Sequence, residues 1–85
     1  MGNCAAIQYQ GVPRARFSCL QQAAEQQLNI AIGGDAGSAS DPGGDNTVTW
    51  DFDEAASVLT LQAVNTGYPC FLVKQKLNSF MGTRQ

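Results

Sequence analysis

The residues in this chain whose types and spacing could do chemistry are few: Asp51 and Asp53, two positions apart, and the three cysteines Cys4, Cys19 and Cys70. Alternate residues of a strand share a face, so the two carboxylates could form a general acid–base pair. Such a pair works only inside a cleft that raises one pKa, and 85 residues leave little room for a cleft. The chain has no histidine. The commonest general base near neutral pH is therefore missing, and a Ser or Cys nucleophile lacks its usual activator. The chain is not expected to be an enzyme, and no catalytic or cofactor residue is assigned.

Metal and anion sites fare no better. Asp35, Asp41 and Asp45 fall in the Gly/Asp/Ser-rich run 33–46. They could ligate Ca²⁺, but the EF-hand spacing and its closing Glu are absent. The glycines of this run could cradle a phosphate, yet no G-x-x-x-x-G-K-[ST] follows and a net charge of −2 repels anions. The run reads as a mobile solvated loop, since structureless stretches beyond roughly 12–15 residues are functional or disordered. The cysteines include no C-x-x-C pair, and three alone would need a further zinc ligand. Cys19 and Cys70 fall on apolar stripes and read as core fillers. An odd cysteine count favours a reducing compartment, hence the cytoplasm.

The start, Met1-Gly2-Asn3-Cys4-Ala5-Ala6, resembles a dual-acylation signal, except that Ala6 stands where Ser or Thr is wanted. One acyl chain binds membranes only marginally, so membrane attachment would require Gly2 and Cys4 both to be acylated. No run approaches the roughly 20 apolar residues that cross a bilayer.

Charged residues make up 14% of the chain, against roughly 25% in typical soluble domains. Nine Gln and five Asn supply part of the polar surface instead. So little charge invites self-association or a standing protein partner. All seven acids lie between Glu25 and Glu54, with Arg14 and Arg16 before them and Lys74, Lys76 and Arg84 after. Five scattered bases on an acidic chain do not make a nucleic-acid surface.

The positioning elements follow from hydrophobic period. Ser18-Cys19-Leu20-Gln21 matches a capping box, which predicts a helix over 18–29 with Phe17 packing just before it. A rival start at Pro13 would set Arg14 and Arg16 against the positive end of the helix dipole. Residues 30–32, β-branched and ended by Gly33-Gly34, read as a brief strand whose edge could pair with another copy. Residues 1–12 carry no clear period and read as an irregular or extended lead-in. Residues 47–64 alternate strictly and read as a hairpin, with Val48, Trp50, Phe52, Leu59, Leu61 and Ala63 on one face. A capping box at 51–54 is the competing, helical reading of this segment.

Beyond Gly67 the spacing turns helical, with Pro69 in the first turn and Gly82 as a left-handed exit. The expectation is one small α+β domain: an N-terminal helix, a small antiparallel sheet and a C-terminal helix on the sheet. Phe71 and Leu72 leave the Val73–Leu77–Phe80 stripe. They either cap the open end of the core or form an exposed patch with Tyr68. The function expected is non-catalytic protein interaction, of accessory, adaptor or inhibitor type. Its expected contact residues are Tyr68, Phe71, Leu72, Arg14 and Arg16. The alternative is binding of a small apolar ligand or a membrane surface through the same apolar end.

Overall fold

A computed structural model of the chain describes residues 2–43 and 46–82. Six elements run in the order β1 (Ile7–Gln10), α1 (Arg14–Gln27), β2 (Ala36–Ser40), β3 (Thr47–Asp53), β4 (Val58–Val64) and α2 (Cys70–Met81). The strands form one antiparallel sheet in the order β1-β4-β3-β2. The chain is an α+β fold, with both helices packed on the same apolar face of that sheet.

The central hairpin is built as its alternation dictates. Val48, Trp50 and Phe52 of β3 and Leu59, Leu61 and Ala63 of β4 are all buried. Their neighbours Thr49, Thr60, Gln62 and Asp51 turn to the outer face. One covered and one wetted face is what an antiparallel sheet tolerates. Turn and strand, not helix, win across 54–64: 54–57 turn and 58–64 form β4, whose β-branched residues pack well on a pleated surface. The turn at 54–57 closes with Ala56 N–H donating to Asp53 Oδ1, and Ser57 adopts a left-handed φ of 56°.

Two strands arise where none was expected. β1 forms inside the lead-in: Ile7 and Tyr9 face inward opposite Leu61 and Leu59, with Gln8 and Gln10 outward. β2 forms inside the presumed loop, its Gly37 and Ala39 opposite Trp50 and Val48. No β-branched or aromatic residue recommends it; the free edge of β3 recruits it. The strand expected at 30–32 is absent. Ile30 and Ile32 are buried, but from an irregular segment that plugs the core beneath the sheet.

Helix boundaries also move. α1 begins at Arg14, not Ser18, because the Pro13 carbonyl accepts the Phe17 N–H and starts the helix one turn early. The electrostatic objection to that start is met by partners. Arg14 bonds Asp35 and Glu54, and Arg16 donates to the Met81 carbonyl at the C-terminal, negative end of α2. Left-handed Asn29 ends α1. α2 ends in a right-handed conformation at Gly82 (φ −80°), with the Gly82 N–H bonded to the Asn78 and Ser79 carbonyls, so the expected left-handed exit is not used.

Cys4 and Cys70 form a disulfide across a sequence separation of 66. Cys4 stands beside Ala63, its N–H donating to the Ala63 carbonyl at 2.9 Å, and the chain after β4 returns Cys70 to it. Cys70 is therefore no core filler, and Cys19 is free and only half-buried.

Candidate functional site

The N-terminal half of α2 is where exposed apolar side chains, Lys74 and Lys76, and concave surface meet. Pro69 precedes the helix, and its carbonyl accepts the Leu72 and Val73 N–H groups. Tyr68, Phe71 and Leu72 lie 61%, 66% and 43% exposed, the large hydrophobic residues that stand out in water. Of the two sequence readings, exposure fits the one that leaves these residues in solvent, not the one that caps the core with them.

α2 is seated by its far half. Leu77, Phe80 and Met81 are buried, whereas residues 70–76 offer only half-buried Val73 to the sheet. The gap on either side of this raised half is a groove of about 410 Å³. One groove runs toward Leu28, Ile30 and Val48 and takes in Tyr68, Leu72 and Lys76. The other runs along residues 4–8 and takes in Phe71 and Lys74 together with both bridged cysteines. Ala63 of β4 and Val73 and Leu77 of α2 line both, so the two grooves are neighbours. The walls are mainly apolar, but Asp41, Asn46, Thr47 and Thr66 also line the first groove, and Gln8 the second. Lys74 and Lys76 make no ion pair among the described residues.

The loop that presents Tyr68 is held by Thr66, a residue that sequence reasoning did not single out. Thr66 is buried at 4% exposure. Its Oγ1 donates to Asn46 Oδ1 at 2.7 Å and accepts the Tyr68 N–H at 3.1 Å. Its backbone N–H and carbonyl pair with the Gly2 carbonyl and N–H, each at 3.0 Å. Asn46 in turn donates to Asp41 Oδ2. A lone threonine between Asn65 and Gly67 carries no pattern in one dimension; the bridge to Gly2 reveals its place.

Arg14 and Arg16, grouped with the patch in the sequence reading, stand elsewhere. Arg14 reaches Glu54 at the hairpin turn, while Tyr68 follows the opposite end of β4. Seven-residue strands separate those ends by roughly 20 Å. Arg14 forks onto Asp35 with bonds of 2.8 and 2.7 Å, reaches Glu54 at 2.8 Å and lies over the Phe52 ring at 5.1 Å. Its hydrogen bonds hold the Asp35 and Glu54 carboxyls below their usual range. Arg16 is occupied by the end of α2. These two arginines knit the fold.

The remaining candidates disperse. Asp51 and Asp53 share the outer face of β3, as expected, and are exposed there, with Asp53 engaged in the turn. Asp35 is taken by Arg14 and Asp41 by Asn46, and Asp45 lies outside the described residues. Among the described residues, no helix is long and apolar enough to cross a membrane. The bridged Cys4 has no thiol to acylate, so dual acylation of Gly2 and Cys4 is incompatible with the disulfide form. Burial raises the Tyr9 phenol above its ordinary pKa, and its hydroxyl donates to Asn78 Oδ1 on α2 at 2.7 Å. Compared with known protein families, with curated proteins and with solved structures, the chain matches none.

Proposed function

We propose that this chain is a small non-catalytic interaction module that docks a protein segment at the N-terminal end of α2. The observation that carries the reading is the exposure of Tyr68, Phe71 and Leu72 at the mouths of two apolar grooves. Buried aromatic anchors surrounded by a polar rim supply most of the free energy of such contacts. Lys74 and Lys76, without acidic partners of their own among the described residues, select a segment that presents carboxylates beside its apolar side chains. The Cys4–Cys70 bridge favours an oxidising compartment over the cytoplasm that the odd cysteine count suggested.

The test uses wild-type chain and the Tyr68→Ala/Phe71→Ala double variant as baits in extract of the native host. Proteins held by the wild type and lost by the variant, with unchanged circular dichroism, support the reading. Equal retention by both sinks it. A second reading, an apolar small molecule lying along α2, is favoured by the groove volume of about 410 Å³. Native mass spectrometry of freshly purified chain separates the two, since a retained small molecule adds a fixed mass.

A further inference from the structure

We propose that the Cys4–Cys70 disulfide is a thiol-exchange site, opened by an external dithiol, that latches the raised half of α2 to the sheet. The two cysteines are unequal. Cys4 is 8% exposed beneath the helix, whereas Cys70 is exposed as the first residue of α2. Both line the groove that also holds Lys74, one turn along the helix, so an attacking thiolate has an open path to the bridge. A sulfur at a helix start beside a lysine is stabilised as thiolate by the helix dipole and the ammonium.

The exchange runs in two balanced steps. A thiolate of the dithiol attacks Cys70 Sγ; the Cys4–Cys70 bond breaks, and Cys4 leaves as a thiolate that takes up a proton. The second thiol of the reductant then attacks its own sulfur in the mixed disulfide. Its ring closes, and Cys70 departs as a thiolate favoured by the helix start and then takes up the proton released by that second thiol. The bridge gains two electrons and two protons, and the dithiol becomes a disulfide.

The consequence follows from how α2 is seated. Residues 70–76 have half-buried Val73 as their apolar contact, while Leu77, Phe80 and Met81 anchor the other half and the Gly2–Thr66 bridge secures the strand end independently. Reduction therefore frees the first turns of α2 and leaves the sheet in place. Because the two grooves share Ala63, Val73 and Leu77, freeing those turns merges them into one apolar trough. The latch acts on the helix end used by the docking reading above, but its chemistry needs no partner.

Hydrogen-exchange mass spectrometry on the full chain, oxidised and in excess dithiothreitol, tests this. The expected result is roughly tenfold or faster exchange for the amides of residues 72–76 on reduction, with those of β3 and β4 unchanged. The Cys4→Ser/Cys70→Ser double variant should reproduce the reduced pattern without reductant. Brief treatment with glutathione, quenched in acid, should place the mixed disulfide on Cys70. Unchanged exchange at 72–76, faster exchange throughout the sheet, or glutathione found on Cys4 would each overturn the latch. None of these readouts involves the docked segment, so they stand or fall apart from it.

Discussion

Gly37 lies directly against the Trp50 indole across the β2–β3 ladder, with no space for a side chain between them. A Cβ built on Gly37 would stand 2.8 Å from Trp50 Cζ2 and 3.2 Å from Cη2. The two residues are direct partners in the register, and the indole is further fixed by its N–H donating to the Gly34 carbonyl. Gly37→Ala should therefore push the edge strand off the sheet or tilt the ring. A loss of about 1–3 kcal/mol is expected, as for other overpacked sites. Trp50 is the single tryptophan of the chain, so its emission reports both the shift and the urea midpoint.

The aromatic residues divide sharply by position. Phe17 and Phe52 stack with centroids 4.4 Å apart, both nearly fully buried. Phe52→Ala should cost about 3–5 kcal/mol, from lost transfer free energy plus the cavity left behind. Tyr68→Ala and Phe71→Ala should each stay within about 0.5 kcal/mol of wild type, since their rings already face water. Chemical denaturation of the three variants checks the contrast.

Thr66→Val keeps the volume but removes the hydroxyl. Asn46 Oδ1 then loses its donor and the Tyr68 N–H its acceptor. A cost of about 1–3 kcal/mol is expected for leaving such groups unpaired. Amide exchange at Tyr68 should speed more than at Leu61, which separates a local loosening from a general one.

The Arg14 cluster sets an acid response. Asp35 and Glu54 are more acidic folded than unfolded, with the hydrogen bonds from Arg14 as the main cause. The folded state thus binds fewer protons through the range just below the ordinary values of 3.8 and 4.5. Stability from these groups is complete above that range and is lost as pH falls through the lowered values. In Arg14→Gln the two carboxylates face each other without a cation, so the variant should be weaker near neutrality and approach wild type in acid. Urea midpoints at several pH values give the comparison; parallel curves would refute it. All three side chains are substantially exposed, and added salt should shrink the difference.

What could be read from one dimension was the part with strong period. The inward faces of β3 and β4 were legible residue by residue, because Val48, Trp50 and Phe52, then Leu59, Leu61 and Ala63, alternate with more polar or β-branched residues over two full strands. The exposed patch was half legible: Phe71 and Leu72 visibly leave the stripe carried by Val73, Leu77 and Phe80, but exposure and core-capping look alike in sequence. β1 did alternate, Ile-Gln-Tyr-Gln, yet four residues are too few to separate from a lead-in. β2 carried no signal, since Ala-Gly-Ser-Ala-Ser becomes a strand through pairing with β3 and the fit of Gly37 to Trp50. The early start of α1 was hidden because Arg14 and Arg16 find their anions on distant segments. Disulfide connectivity is likewise a property of the folded chain: spacing alone could not say that β1 lies beside β4 and so carries Cys4 to Cys70.

The placing of the first strand beside the fourth also sets a timetable for biosynthesis. As the ribosome extrudes the chain, residues 7–10 emerge early and find no edge to join until residues 58–64 have followed. At roughly 5–20 residues per second that interval is a few seconds of exposure, during which the nascent segment is open to chaperones and to neighbouring polysomal copies. Stalled translation products ending before residue 58 should accordingly be protease-sensitive through Ile7–Gln10, and products released after residue 64 should not.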